Sequence, residues 1–183
     1  GIEVLGELTQ LPNGWDTFYI KDLNGLIFQV IETDDFYTKT DCPNGGTAGC
    51  TIGVSDIEKA VSFYGLLGYD KALYDETGTF SDWTGINGGD GKYRRVLLTQ
   101  EEQSPGGFAD LIGNTYIEVV QDLSGRKQVK IFEGRRWGDI GFAHLGFDVR
   151  NMAAIGKQLD KAGHGFTCDT KNVLSMGEST KVH

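Results

Sequence analysis

The sequence is poor in three features, and each absence narrows the class of protein. Its 183 residues contain only three cysteines, and no Cys-x-x-Cys pair indicates a zinc knuckle. No apolar run approaches the roughly 18 residues that a membrane-spanning helix needs, so a membrane is not expected as a partner. Basic residues are also scarce, because 17 Lys and Arg against 26 Asp and Glu give a formal net charge of −9. Nucleic acid is therefore not expected as a partner either, since its binding requires clustered Lys and Arg.

What the composition does contain is typical of a globular domain. Hydrophobic residues make up 39% of the chain and charged residues 23%, which is enough for one good-sized core or for two small modules that share one. The cysteines are odd in number and irregularly spaced, a pattern that fits a reducing compartment. We therefore expect a cytoplasmic protein.

One structural plan occurs twice, and its first copy begins with the apolar strand Cys50–Val54. Ser55 and Glu58 then have the spacing of a capping box, in which each side chain satisfies a backbone N–H of the other residue. Apolar residues follow at helical spacing, and Gly68 supplies a left-handed stop. This copy predicts a helix over residues 55–67.

The second copy follows later in the chain and starts at His144. An apolar strand is predicted over residues 144–149, Asn151 is the expected N-cap, and Gly163 ends the helical pattern. The predicted helix covers residues 150–162. We expect both helices to pack on sheets through one apolar face.

The remaining segments predict β-structure. Residues 1–40 alternate β-branched and aromatic residues with turn signals, which indicates a three-stranded meander. Further strands are predicted at Lys71–Tyr74, Phe80–Ile86, Arg94–Thr99 and Thr115–Val120. The expected fold class is α+β.

The order of these elements resembles the vicinal oxygen chelate superfamily of glyoxalases, extradiol dioxygenases and bleomycin-resistance proteins. The segment Val54–Tyr69 is similar to the strand-to-helix signature of its βαβββ module, and Phe18–Val30 is similar to the closing hairpin. The resemblance implies curved, mixed but mostly antiparallel sheets around a cleft. It divides the chain into the closing strands of one module (1–40), a linker (41–48), a complete module (49–125), a connector (126–136) and the opening strand and helix of a further module (137–183).

The resemblance also implies a divalent-metal site, with Zn, Ni, Mn or Fe as the candidate ions. In metal-using members each module offers one ligand before its first strand and one in its last strand. The matching residues here are His144, Glu118 and Gln29, whereas Gly49 occupies the remaining position and provides no side chain. His, carboxylate and amide oxygen could together hold one ion and leave positions open for a substrate. Glu118 is also the expected catalytic residue.

Each candidate ligand has a purely structural alternative. His144 could be a core histidine bonded to a backbone carbonyl. Glu118 could be an exposed alternate position of its strand, since burying an unpaired carboxylate is costly. Gln29 could be a solvated strand residue.

Other residues are weaker candidates. Trp83, Tyr93 and Trp137 are expected in core or rim packing, although aromatic side chains also line small-molecule pockets. Arg135 and Arg136 are expected to be solvated, with the alternative that they bind an anionic substrate. Cys50 should point away from the ligand face by strand alternation.

Two functions follow from the resemblance, and a degenerate structural domain is a third possibility. One is a metal-dependent lyase, isomerase or dioxygenase, such as a lactoylglutathione lyase-like enzyme, acting on a small substrate with vicinal oxygens. The other is a metal-free, resistance-type module that binds a small molecule. The incomplete modules at the two ends also predict exposed strand edges, which favour pairing within the chain or in a homodimer.

Overall fold

The structure is a computed structural model that describes residues 1–34, 41–102, 114–136, 138–167, 174–175 and 181–182. The chain forms two compact units, Gly1–Asp148 and Val149–His183. The described residues have a mixed α+β fold with two α-helices and two larger, mostly antiparallel sheets. No helix in these ranges is long and apolar enough to cross a membrane.

The N-terminal meander is confirmed as an antiparallel sheet in the order β1-β2-β3. Its strands are β1 (Glu3–Gln10), β2 (Asp16–Lys21) and β3 (Ile27–Ile31). Asp22 closes the hairpin between β2 and β3, because its Oδ1 accepts hydrogen bonds from the backbone N–H groups of Asn24 and Leu26, both at 2.8 Å. This is the local bonding that makes Asp a turn residue.

The second sheet contains a strand, a helix and three further strands in chain order. They are β4 (Gly49–Gly53), α1 (Ile57–Leu66), β5 (Lys71–Gly78), β6 (Tyr93–Thr99) and β7 (Tyr116–Asp122). The spatial order is β4-β7-β6-β5, and only the β4–β7 pair is parallel. The two sequence-distant strands β4 and β7 thus lie side by side.

Helix α1 ends at Leu66, one residue before the predicted end, and its N-cap lies one residue later than the capping box implies. Asp56, not Ser55, is the N-cap, and its Oδ1 accepts from the Lys59 backbone N–H at 3.1 Å. A carboxylate is favoured there because it also complements the positive end of the helix dipole. Gly68 has a positive φ of 93° just beyond the helix, as its role in ending the helix requires.

The predicted strand Phe80–Ile86 is wrong, because this segment contains a 3₁₀ turn at Ser81–Trp83. Asp82 and Trp83 are adjacent in sequence and both are buried. Successive residues of a strand point to opposite faces, so a strand could not bury both side chains on one side. The turn allows both to bond inside the protein.

Strand β7 separates an apolar layer from a polar one by alternation. Ile117 and Val119 lie in a buried cluster with Ile57 of α1. Tyr116 and Val120 instead belong to clusters that include side chains of the N-terminal sheet and its turn. Glu118 shares their face, so it lies between the two sheets.

The second unit contains α2 (Met152–Lys161) and the short antiparallel pair β8 (Leu174–Ser175) and β9 (Lys181–Val182). Asn151 is confirmed as the N-cap of α2, since its Oδ1 accepts from the Ala154 N–H at 3.0 Å. Gly163 is confirmed as the stop, with a φ of +82°.

The strand predicted over residues 144–149 is wrong, because residues 142–149 lie in irregular backbone. Ring contacts, and not the hydrogen bonds of a strand, hold this segment against the rest of its unit. The Phe142 ring lies 5.8 Å from that of Phe28, and the Phe147 ring lies 5.9 Å from that of Tyr69. Apolar composition alone cannot distinguish such packing from strand pairing.

Gly49 and Gly53, at opposite ends of β4, provide a matched test of this sheet. A Cβ at Gly49 would overlap the Tyr116 carbonyl oxygen, whereas a Cβ at Gly53 would meet nothing within 4 Å. We expect Gly49→Ala to lower the free energy of unfolding by about 2 kcal/mol or more. We expect Gly53→Ala to change it by no more than about 0.5 kcal/mol. Urea unfolding measures both, and equal effects would contradict the close β4–β7 approach.

Candidate functional site

The candidate site is built around Glu118, which is only 3% exposed. Its Oε1 accepts hydrogen bonds from the Tyr74 hydroxyl at 2.5 Å and from Arg95 Nε at 2.6 Å. Its Oε2 accepts from the Thr51 hydroxyl at 2.9 Å. Because these donors come from β5, β6 and β4, the carboxylate connects all the strands of its sheet.

Arg95 is the cation of the site and is completely buried. Besides Glu118, its Nη1 donates to both carboxylate oxygens of Asp82, at 2.8 and 2.9 Å. The guanidinium carbon lies 4.2 Å from the ring centre of Trp83 and 4.6 Å from that of Phe80. Nη2 is buried and has no hydrogen-bond partner among the residues described.

Tyr19 connects this cluster to the N-terminal sheet. Its hydroxyl donates to Asp82 Oδ2 at 3.1 Å and accepts from Trp83 Nε1 at 2.9 Å. Gln29 Nε2 also donates to the Tyr19 hydroxyl, at 3.0 Å. The inter-sheet network, as we name it, consists of Tyr19, Gln29, Thr51, Tyr74, Asp82, Trp83, Arg95 and Glu118.

The electrostatics of the network fix the charge of its cation and keep its phenols neutral. Burial lowers the pKa of Arg95, but Glu118 and Asp82 outweigh it, and the pKa lies above its usual range. Burial, reinforced by the charge of Glu118, raises the pKa of Tyr74 well above its ordinary value. Burial and Asp82 raise that of Tyr19 in the same direction. These groups therefore do not exchange protons near neutral pH.

The structure brings two of the three predicted metal ligands into the network and leaves out the third. Glu118 and Gln29 are both members, although they are joined through Tyr19, Asp82 and Arg95 and not by direct contact. His144 is exposed in the irregular segment 142–149 and is not a member.

These residues do not fit a divalent metal ion. Both oxygens of Glu118 already accept hydrogen bonds, and the Arg95 guanidinium takes the position of the counter-charge. The backbone around Gly49 also leaves no room for a side chain at the fourth predicted ligand position. Among the residues described, no group of three or more His, Cys, Asp and Glu could hold a metal.

The weaker candidates that lie within the described residues make contacts typical of residues that support the fold. Trp83 is buried, and its ring lies 4.8 Å from that of the half-buried Tyr93. Arg135 donates to the Ile140 carbonyl at 2.7 Å, and the exposed Arg136 donates its backbone N–H to the Asp139 side chain. Trp137 lies outside the described residues.

Cys50 lies on the α1 side of its sheet, packed against the cluster of Ile57 and Val119. Burial raises the pKa of its thiol. It therefore points away from the inter-sheet network, as strand alternation predicts.

Sequence reasoning missed Arg95 and Asp82, but one signal was available. Arg94 and Arg95 are adjacent on an apolar strand, and alternation must direct one of them to each face. Arg94 is at the surface, where it binds Asp75 and Glu58. A buried arginine requires a carboxylate, and Glu118 lies in the equally apolar neighbouring strand.

Two open depressions in the described part of the chain lie away from the network. One, of about 330 Å³, is lined by Leu67, Gly68, Asp70, Gln100, Glu101 and Glu102. The other, of about 520 Å³, is lined by Trp15, Glu32, Thr33 and Asp34. Each borders residues outside the described ranges, so neither defines a site.

Comparisons with known proteins give no relative. No protein-family model matches the chain, and neither does any curated protein or any solved structure. The functional argument therefore depends on the inter-sheet network and on the order of the strands.

The phenol of Tyr74 predicts the behaviour of the protein at alkaline pH. The pKa of this phenol is raised in the folded state. The contribution of the protonated phenol to the free energy of unfolding is therefore complete below the unfolded pKa near 10, and it is lost as the pH rises above that value. There the unfolded chain loses a proton that the folded chain retains, which costs about 1.4 kcal/mol per pH unit. We expect Tyr74→Phe to make this decline shallower by about that slope.

Urea unfolding of wild type and Tyr74→Phe across the alkaline range measures this difference. At neutral pH the variant should also lose about 1 kcal/mol, because Glu118 loses one donor. Parallel declines in the two proteins would show that the Tyr74 hydroxyl is not held protonated by the network.

Proposed function

We propose that this protein is a metal-free module that binds a small molecule, with a glyoxalase-like arrangement of its sheets. The observation that carries the proposal is the neutralisation of Glu118 by Arg95. A metal ion at Glu118, which the resemblance to metal-using glyoxalases implies, would lie where Arg95 supplies a fixed protein cation. Charge balance is kept, but the exchangeable coordination positions that Lewis-acid catalysis needs are not available.

The topology supports the glyoxalase-like part of the proposal. Elements β4 to β7 follow the β-α-β-β-β order, and β4 pairs in parallel with the last strand of the group. The three-stranded N-terminal sheet contributes the facing layer through Tyr19. Fold-level likeness suggests a class of function but does not determine it, so the charge balance at Glu118 carries the argument.

Binding is favoured over acid-base catalysis by the protonation states of the network. The pKa values of Tyr19, Tyr74 and Arg95 all lie above their ordinary ranges. A general acid or base works best when its pKa lies near the working pH. The competing function, a metal-dependent lyase, isomerase or dioxygenase, would require an ion to displace Arg95 from Glu118.

The ligand class that we propose is a small, neutral, aromatic compound. Aromatic side chains, including Trp15, Tyr74, Trp83 and Tyr116, lie in the packed clusters between the two sheets, and aromatic side chains favour flat aromatic partners. The two carboxylates and one guanidinium leave the network with one excess negative charge, which disfavours an anion. We also propose a cytoplasmic location, which the odd number and irregular spacing of the cysteines support. Homodimerisation is left to be decided by light scattering.

The first test concerns metal. We expect protein purified under mild conditions to contain no stoichiometric Mn, Fe, Ni or Zn by elemental analysis, because Arg95 already neutralises Glu118 and both of its oxygens accept hydrogen bonds. Calorimetric titration with Mn²⁺, Zn²⁺ and Ni²⁺ should give the same result for wild type and His144→Ala. Binding that the wild type shows and His144→Ala lacks would favour the metalloenzyme instead.

The second test concerns the ligand. A panel of neutral bicyclic aromatic compounds should include members that raise the thermal midpoint in a saturable way, since a ligand of the folded state stabilises it. Trp83→Leu should weaken this response, because it removes an aromatic ring from the cluster between the two sheets. Val129→Ser, at an 86% exposed position, is the control and should keep the response. No response from any compound, with the fold intact, would contradict a binding function.

A further inference from the structure

Two neighbouring arginines of β6 each bridge a pair of carboxylates, one pair at the surface and the other inside. Arg94 donates to both oxygens of Asp75, at 2.8 and 2.7 Å, and to Glu58 at 2.5 Å. Arg95 makes the equivalent bridge between Asp82 and Glu118 with no exposure to solvent. Each arginine thus joins two carboxylates, although Arg94 uses all three of its nitrogens and Arg95 uses only Nε and Nη1.

We infer that Asp82 and Glu118 form an oxygen-lined cation site that the protein fills with its own Arg95 side chain. Removal of that side chain should open the site to an external cation, either guanidinium or a small divalent ion. This inference deepens the proposed function. It rests on the proposed function in one respect, namely that a resident cation takes the place of a metal.

The first support is the set of atoms around the guanidinium. Its hydrogen-bond partners are oxygens of Asp82 and Glu118, to which the hydroxyls of Tyr19 and Tyr74 are also bonded. The rings of Trp83 and Phe80 lie 4.2 and 4.6 Å from the guanidinium carbon. Hard oxygen donors suit Mg²⁺, Mn²⁺ and Ca²⁺. They equally suit guanidinium, which binds carboxylates through charge-assisted hydrogen bonds.

The second support is the incomplete use of the arginine. Nε and Nη1 are bonded, but Nη2 is buried with no partner among the described residues. A site shaped for the guanidinium fork would use all of its donors. The surroundings therefore satisfy the positive charge of the arginine but not all of its hydrogen-bond donors.

The third support is that other groups hold the carboxylates in place. Glu118 keeps bonds from Tyr74 and Thr51, and Asp82 keeps one from Tyr19. Loss of Arg95 would leave two buried carboxylates without a counter-charge, which is strongly unfavourable. Uptake of a cation from solution would relieve that cost.

The experiment compares the thermal midpoints of wild type, Arg95→Ala and the volume-retaining Arg95→Met in matched ionic strength. Both variants should be destabilised. Millimolar guanidinium chloride should then raise the Arg95→Ala midpoint by roughly 5 °C over an equal concentration of sodium chloride. Mn²⁺ should act in the same direction on both variants, and wild type should not respond to either cation.

Arg94→Ala is the matched control, because it empties an equivalent pair of carboxylates at the surface. The thermal midpoint of this variant should not rise specifically with either cation, since exposed ion pairs contribute little to stability. Adding Glu118→Gln to Arg95→Met should remove the Mn²⁺ response, because it removes half of the site.

Two results would overturn the inference. One is an equal response of Arg95→Ala, Arg95→Met and wild type to both cations. The other is that neither variant folds in any of these solutions, as judged by far-ultraviolet circular dichroism. Neither result would affect small-molecule binding by the wild type, and a failure to bind small molecules would not affect the rescue, so the two proposals are tested separately.

Discussion

The buried ion pair between Arg95 and Glu118 is the constraint on which the arrangement of the two sheets depends. Two charges removed from water require close mutual contact and further hydrogen bonds to offset the loss of solvation. Tyr74 and Thr51 supply those bonds to Glu118, and Asp82 supplies a second carboxylate to Arg95. Each of these residues belongs to a different element, so the pair determines how β4, β5, β6, β7 and the 3₁₀ turn approach one another.

Different interactions dominate on the two faces of the second sheet. On the α1 side, Ile57, Val96 and Val119 bury apolar area, an interaction that tolerates small shifts. On the other side, Tyr19 must place its hydroxyl between Asp82 and Trp83, and this geometry allows little displacement. The layer beside α1 therefore stabilises the sheet through buried apolar area, whereas the polar contacts on the other side specify the position of the N-terminal sheet.

Local signals in the sequence predicted most of the strands and helices. Contacts between residues that are distant in sequence explain the predicted strands that are wrong. Gly68 and Asn151 act within a few residues of their helix ends, so the sequence is sufficient to find those ends. Phe80–Ile86 looks like a strand, but its buried Asp82 satisfies an arginine that the local pattern does not include. Glu118 could be identified from its apolar strand, whereas its partner Arg95 requires knowledge of which strands are neighbours.

Replacing a metal with an arginine changes what such a site can do. A divalent ion offers open positions that substrate oxygens can enter and leave, so it can polarise them during a reaction. A guanidinium has a fixed set of N–H donors, and those of Arg95 are largely directed at Asp82 and Glu118. It preserves the electrostatic support of the buried carboxylates but offers no comparable reactive position. The charge balance at Glu118 is therefore the reason why we propose recognition in preference to a metal-dependent reaction.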